Sequence, residues 1–304
     1  MRSVSDPANT ANLADTTGSA SCICLAMSNI LIPTEHQIDD FVHAALTCGA
    51  LLPIATESRL IEHEGLPFLV KWVSNQALKP RAAKPGRGSS HNPFEHPEPS
   101  LTFGDIAPSH RLLLNKFPVM TRHLLIVTRR FESQEMALTA DDFAAIAPLI
   151  AARDGLGFYN GGAIAGASQA HKHLQWIPTR PPLAAALPAY LDRHRVRFDF
   201  RHAFSPLEIE DWTSADAGER LVRRYLWLLE QAGVARHADK PAPYNLLMTR
   251  EWMWVVPRCA EHWQEMSINA LGFAGSLFVK HPDALQALAE AGPMNALRAV
   301  ACPR

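Results

Sequence analysis

The stretch GASQAHKHLQWIP (166–178) sets two histidines and a glutamine two residues apart, at positions 171, 173 and 175. A β-strand repeats every two residues, so His171, His173 and Gln175 share one face of a strand while Lys172 and Leu174 take the other. Immediately upstream, GFYNGGAIAGASQ (157–169) is glycine-rich and reads as a loop feeding that strand. Before it, TADDFAAIAPLIAARDG (139–155) has Thr139 as N-cap, Asp141 and Asp142 in the first turn and Gly155 as terminator, the pattern of an amphipathic helix. Further upstream, RLLLNKF (111–117) and HLLIVTRRF (123–131) flank PVMTR, which fits a hairpin with a five-residue connection. Strand, strand, helix, glycine loop, strand is an α+β arrangement.

On the N-terminal side, residues 1–20 are rich in Ser, Thr, Asn and Asp and are expected to form a mobile extension. TEHQIDDFVHAALTC (34–48) is expected to be a helix capped by Thr34, and LPFLVKWVS (66–74) a strand. KPRAAKPGRGSSHNPFEHPEP (79–99) is crowded with Pro, Gly and basic residues and reads as a loop. On the C-terminal side, TRPPLAAALPAYL reads as a crossing segment and DAGERLVRRYLWLLEQA (216–232) as a helix with Leu221, Tyr225, Leu228 and Leu229 on one stripe. YNLLMTREWMWVVPR (244–258) reads as two strands turning near Thr249–Glu251. EMSINALGFAGSLFVK (265–280) is expected to be a buried helix and HPDALQALAEAG (281–292) a closing one.

Composition bounds the function. The 304 residues are 47% hydrophobic and 19% charged, which suits a folded domain rather than a disordered chain. With 29 Lys plus Arg against 30 Asp plus Glu, no global field favours nucleic acid or an anionic membrane, and neither is expected as a partner. No apolar run approaches the roughly 18 residues that a membrane helix needs. The cysteines, Cys22, Cys24, Cys48, Cys259 and Cys302, are odd in number and include no CxxC pair. A reducing cytoplasm and no disulfide framework are therefore expected. Cys22-Ile23-Cys24 is half of a possible metal site without a matching second pair.

Taken alone, the histidine pair leaves three readings open. In a chain with 14 histidines such a pair arises by chance. Two imidazoles at i and i+2 chelate a transition metal, although the next residue on that face, Gln175, is a poor third ligand. The third reading is nucleophilic attack on phosphorus, for which a neutral imidazole is well suited at pH 7. Its requirements are a glycine-rich backbone near the phosphates, neutral donors for non-bridging oxygens and a partner for the second ring nitrogen. The glycine loop, Ser168, Gln169, Gln175 and His171 supply candidates for each.

NGGAIAGASQAHKHLQWIP, together with LLLNKFPVMTRHLLIVT, NPFEHPEPSLTFGDIAPSHRLLLNKF, PYNLLMTREWMWVVPR and SINALGFAGSLFVK, resembles the ATP adenylyltransferase (diadenosine tetraphosphate phosphorylase) family of the histidine triad superfamily. The resemblance runs from about Phe68 to Lys280. It implies a histidine-triad-like antiparallel sheet with flanking helices, extended by additional C-terminal strands and helices. A catalytic region over 21–180 and a C-terminal region over 181–304 on the same core follow from it.

Carried over residue by residue, the resemblance implies His173 as nucleophile, His171 as the residue that orients the site and Gln175 as the holder of non-bridging α-phosphate oxygens. It implies Asn115 at the ribose hydroxyls and Asn160, Gly166, Ser168 and Gln169 in a phosphate cradle. Lys116 and Lys79 are expected near phosphates, although a regular strand turns Lys116 to the other face. His123 is expected to pack or hydrogen-bond at the start of its strand, outside the catalytic set. Glutamine in third place favours transfer over hydrolysis, since an amide cannot ionise to activate water. The implied reaction converts diadenosine tetraphosphate and phosphate to ATP and ADP, and the reverse, through an adenylyl-histidine. A magnesium-like divalent cation is expected to be held by the substrate, with no dedicated protein metal site, and the protein to be a monomer or homodimer. The competing readings are a dinucleoside polyphosphate hydrolase, a sugar-phosphate nucleotidyltransferase, and a nucleotide sensor or metal-binding protein.

Overall fold

A computed structural model describes residues 32–73, 92–190, 198–237 and 239–304. The expected N-terminal extension, the Cys22 and Cys24 pair, Lys79 and residues 79–91 of the Pro/Gly loop lie outside the described residues.

Helix α1 (Glu35–Thr47) begins at a complete capping box, in which Thr34 accepts from the Gln37 amide and the Gln37 side chain reaches back. It precedes β1 (Thr56–His63) and β2 (Leu66–Val73), an antiparallel hairpin of which the sequence reading found only the second strand. Next come β3 (Thr102–Ala107), β4 (His110–Leu114) and β5 (Leu124–Thr128). The β4/β5 hairpin is as expected but shorter, and the Asn115 amide continues its ladder by donating to the His123 carbonyl at 2.9 Å. Helix α2 (Ala140–Arg153) starts at the expected Thr139 N-cap, where Asp142 closes a capping box.

The first correction falls at β6 (Leu156–Gly161), which is a fully buried strand where a glycine loop was expected. Its glycines hide the period because neighbours crowd the backbone: a Cβ on Gly161 would lie 2.6 Å from the Tyr244 ring. Only residues 162–166 form the turn that leads towards β7 (His173–Ile177). The crossing segment is in fact helix α3 (Pro182–Tyr190), with Leu183, Ala184 and Leu187 buried.

Then come β8 (Ala203–Pro206), α4 (Ile209–Thr213) and α5 (Ala217–Gln231), the last as expected. They are followed by the short pair β9 (Arg236–His237) and β10 (Lys240–Pro241), and by the expected β11 (Tyr244–Met248) and β12 (Trp252–Pro257).

Residues 265–280 are not one helix. They complete a small hairpin, β13 (His262–Trp263) with β14 (Met266–Ser267), and continue through a single helical turn, α6 (Ala270–Phe273), into β15 (Ser276–Val279). Asn269 caps α6 by accepting from the Leu271 amide, and Gly275 at φ +89° ends it. The following Ser-Leu-Phe-Val then pairs in parallel with β2. The closing helix α7 (Pro282–Ala291) is followed by α8 (Pro293–Val300), which the sequence reading did not anticipate.

The main sheet has eight strands in the order β3-β4-β5-β7-β6-β11-β12-β8, all adjacent pairs antiparallel. One face carries Leu112, Leu114, Ile126, Leu174, Trp176 and Leu246 and packs on α1, α2 and α5. The C-terminal half of the other face, with Phe158, Leu247, Trp254 and Val256, packs on α3, α6, α7, α8 and the β2/β15 strands. Burial of this scale is the main stabilising term for both layers. The N-terminal half of that second face is where His173 and Gln175 emerge.

A further correction concerns the cysteines. Cys259 and Cys302 form a disulfide, although their separation of 43 residues gave no spacing signal. The chain end returns to β12, with bridges Arg258↔Ala301 and Phe200↔Pro303, and this brings the two sulfurs together.

Candidate active site

Strand β7 lies between β5 and β6, with Val127 opposite His173, and with Leu125 and Phe158 opposite Gln175. The alternation holds across the segment: Leu174 enters the α2-side core, and Lys172 is buried on that side against Asp142 and Glu132. Between Asn160 and His173 the β6/β7 ladder has opened, and the side chain of Gln134 fills the gap. Its oxygen accepts from the His173 amide at 2.7 Å, and its nitrogen donates to the carbonyls of Asn160 (3.0 Å) and His173 (3.2 Å). The backbone at His173 is thereby satisfied on the side where β6 no longer pairs with it.

The protonation state of His173 follows from its contacts. Its Nδ1 lies 2.8 Å from the His171 carbonyl oxygen, an acceptor without a proton, so Nδ1 carries the hydrogen. The lone pair of the neutral ring is therefore on Nε2, which has no hydrogen-bond partner among the described residues. Burial pushes this imidazole down to about 4, outweighing the His171 carbonyl that favours its charged form. At neutral pH it is a neutral base with one exposed valence.

His171 orients His173 through this carbonyl rather than through its ring. The ring is held elsewhere: Nε2 donates to the carbonyls of Thr128 (2.8 Å) and Arg130 (3.1 Å), and Nδ1 accepts from Asn92 Nδ2 at 2.9 Å. Burial lowers the His171 pKa against these two carbonyls. Phe94 stands over both imidazoles, with centroids 5.8 and 5.2 Å away, and exposed Phe131 meets His171 edge-on at 5.4 Å.

A second chain of hydrogen bonds fixes Gln175. The Phe117 amide donates to Asn115 Oδ1 (3.2 Å), Asn115 Nδ2 donates to His123 Nδ1 (3.0 Å), and His123 Nε2 donates to Gln175 Oε1 (2.9 Å). Each step dictates the next, because a backbone N–H can only donate and a neutral imidazole has one donor and one acceptor. Burial drives His123 down to about 4, so it stays neutral and the chain keeps its direction. Gln175 is left with its NH₂ group unengaged among the described residues, next to His173 on the same face.

The glycine turn (162–166) joins β6 to the segment that carries His171. Gly166 has φ +87°, and a Cβ there would lie 2.7 Å from Asn269 Cβ, so only glycine seats the turn against the α6 cap. Asn160 Oδ1 accepts from Asn245 Nδ2 (2.9 Å) and from the Ala270 amide (2.9 Å). Asn245 Nδ2 also donates to the Ala165 carbonyl at 2.8 Å. Asn160 thus braces the turn from behind. Ser168 is exposed and Gln169 half-buried on the segment between the turn and His171.

Comparison with known proteins follows the same two halves. The family model described as Ap4A phosphorylase N-terminal domain matches residues 29–189, and that described as ATP adenylyltransferase C-terminal domain matches residues 196–303. The chain belongs to the Ap4A phosphorylase family. Among curated relatives, diadenosine 5',5'''-P1,P4-tetraphosphate phosphorylase 2 of Saccharomyces cerevisiae is 29% identical over 299 residues, covering 84% of this chain and 90% of the relative. Protein APA1 of the same yeast is 28% identical, covering 83% and 88%. The crystal structure of yeast Ap4A phosphorylase Apa2 in complex with Ap4A superposes with a TM-score of 0.69 at 25% identity, covering 90% of this chain and 99% of that one. The complex of Apa2 with AMP gives 0.70 at 26%, covering 91% and 99%. The antiparallel sheet with flanking helices is thus the fold of this phosphorylase family.

Of the residues expected in this member of the Ap4A phosphorylase family, His171, His173, Gln175 and Asn115 are joined by the two hydrogen-bond chains. Lys116 is directed instead to an exposed ion pair with Glu98. Asn92, Phe94, His123 and Gln134 complete the surroundings, and all escaped assignment as site residues. Asn92 and Phe94 lie in the NPFEHPEP motif, which was the one available signal; Gln134 is a lone glutamine between β5 and α2 with none.

Proposed function

We propose that the protein catalyses the reversible phosphorolysis of diadenosine tetraphosphate to ATP and ADP through an adenylyl group on His173. The observation that carries this reading is the complementary state of two neighbouring side chains. His173 has its lone pair on an unengaged Nε2, and Gln175 has its oxygen committed and its NH₂ group unengaged. One is a nucleophile and the other a donor for a non-bridging phosphate oxygen. The likeness to the yeast phosphorylase crystallised with Ap4A supports the choice of substrate.

In the first step, Nε2 attacks the α-phosphorus, the N–P bond forms, the P–O bond to the ATP moiety breaks, and ATP leaves. The ring is then a phosphoryl-imidazolium whose Nδ1–H points at the His171 carbonyl, an acceptor that stabilises the new positive charge. In the second step, a phosphate oxygen forms a P–O bond as the N–P bond breaks, releasing ADP and restoring the neutral ring. Phosphate arrives already anionic, so no ionisable side chain is needed in the third position, where Gln175 stands. A divalent cation such as magnesium would be carried by the polyphosphate and would supply charge neutralisation; among the described residues no group of three His, Cys, Asp or Glu side chains gathers to hold one. The proposal keeps the enzyme in the cytoplasm, where the Cys259–Cys302 disulfide would be exceptional; no helix among the described residues is long and apolar enough to cross a membrane.

The test is incubation with diadenosine tetraphosphate radiolabelled on its α-phosphates, with and without inorganic phosphate. An acid-labile label on His173 is expected without phosphate, and ATP plus ADP with it. Absence of both label and ADP would sink the proposal, and AMP in place of ADP would convert it to a hydrolase.

A further inference from the structure

Behind the glycine turn lies a cation that the two proposed steps leave without a role. Arg258, which follows β12, is 2% exposed. Its guanidinium donates to five oxygens: Val300 O (3.2 Å) through Nε, Asn245 Oδ1 (2.5 Å) and Ala165 O (3.3 Å) through Nη1, and Ala260 O (2.7 Å) and Glu261 O (3.4 Å) through Nη2. Every one is a neutral amide oxygen, and Arg258 forms no ion pair among the described residues. Its Cζ lies over the Phe273 ring, 5.4 Å from the centroid. The donors are satisfied by neutral oxygens, and the charge is met only at a distance, by the Glu261 carboxylate.

A buried charge without a contacting counter-ion is expensive, and in a low-dielectric interior its field reaches well beyond its hydrogen bonds. Burial lowers the Arg258 pKa to about 9, against the opposing influence of Glu261, which is the direction expected of a cation short of compensation. The side of Arg258 that matters is Nη1. Through Ala165 O and Asn245 it touches the turn whose outer side begins the 166–169 segment, and Asn245 passes the contact to Asn160. A polyphosphate lying along that segment would bring negative charge to the far side of a thin wall of backbone.

We infer that Arg258 is a positioning residue for the phosphate chain of the substrate. It anchors the 162–166 turn by its fork of donors and supplies, from behind the turn, the positive charge that a bound polyphosphate compensates. It need not touch the substrate. The inference rests on reading the turn as the phosphate cradle, but not on the identity of the acceptor or on the covalent step.

The experiment compares wild type, Arg258→Gln and Arg258→Lys. In wild type, inorganic tripolyphosphate, a probe with no nucleoside, is expected to raise the melting temperature, and its affinity to fall as salt rises. Arg258→Gln is expected to raise KM for diadenosine tetraphosphate about tenfold, with kcat changed by less than about threefold, and to flatten the salt dependence of kcat/KM. Arg258→Lys, which keeps the charge and loses the fork, is expected to recover most of the KM and the salt slope. A purely structural role would instead lower melting temperature or kcat in both variants and leave the salt slope of the folded fraction unchanged. That result, or a wild type that tripolyphosphate does not stabilise, overturns the inference; the second holds even if the glutamine variant does not fold. If tripolyphosphate binds in an Arg258-dependent manner while no ADP is ever formed, the inference stands and the proposed reaction fails.

Discussion

The two sides of residues 171–175 bury polar groups in opposite ways. On the odd side, His171, His173, Gln175 and the supporting His123 are neutral, and their hydrogen bonds run in chains that leave Nε2 of His173 and the NH₂ of Gln175 unused. On the even side, Lys172 reaches Asp142 (3.0 Å) and Glu132 (2.8 Å), and His110 Nε2 meets the other Asp142 oxygen at 2.9 Å. Burial alone would raise the Asp142 carboxyl, but His110 and Lys172 hold it below the ordinary carboxylate range. One cluster is ionised and closed, whereas the other is neutral and open. Degree of burial does not separate them; residual hydrogen-bonding capacity does, and that is where chemistry is available.

The sharpest way to break this contrast is at the open valence. His173→Ala is expected to lower turnover of diadenosine tetraphosphate about ten-thousand-fold while leaving the melting temperature near that of wild type, measured by product release and thermal unfolding. On the closed side the signs reverse. Lys172→Met strands a buried carboxylate and is expected to cost about 3–5 kcal/mol of stability by denaturant titration, with kcat of the folded enzyme retained. A surviving full stability would show that the even cluster is not held by its charges.

Acid distinguishes the two sides by window. His173 and His123 are held near 4 by burial, whereas the unfolded chain takes up their protons near the ordinary 6.5. Between those values the unfolded state binds more protons, so stability falls as pH drops from 6.5 towards 4. Asp142 is depressed in the fold, so its contribution is present above its unfolded pKa and is lost only as pH falls through the lower folded value. Urea titrations from pH 7 to 3 should therefore show two stages, the first reduced to the smaller contribution of His171 in a His123→Leu, His173→Ala double variant. The smallest effect expected is kinetic. His123→Leu frees Gln175 to flip its amide and is expected to reduce kcat/KM about tenfold; an unchanged value would show that Gln175 is oriented by other means.

Much of this was legible locally. Thr34 and Thr139 announce their helices through capping boxes, and the two-residue alternation from His171 to Gln175 survives in the structure. What stayed hidden was written at long range. Gly157 and Gly161 read as loop because glycine is read by its freedom, whereas here it is selected by close packing against Ile150 and Tyr244. Gln134 stands in for a missing ladder partner 39 residues away, and Asn92 meets His171 across 79, neither of which any local period records. Residues 265–280 are apolar enough for a helix, but the parallel partner β2, far back in the chain, takes their second half as a strand.

The carbonyl of His171 has one more consequence. Because it holds the Nδ1 hydrogen of His173 throughout, the ring begins and ends each half-reaction with the same proton on the same atom. On the proposed route, turnover transfers an adenylyl group while the imidazole neither draws a proton from solvent nor returns one. Any solvent isotope effect on this route must therefore come from somewhere other than proton transfer to or from the His173 ring.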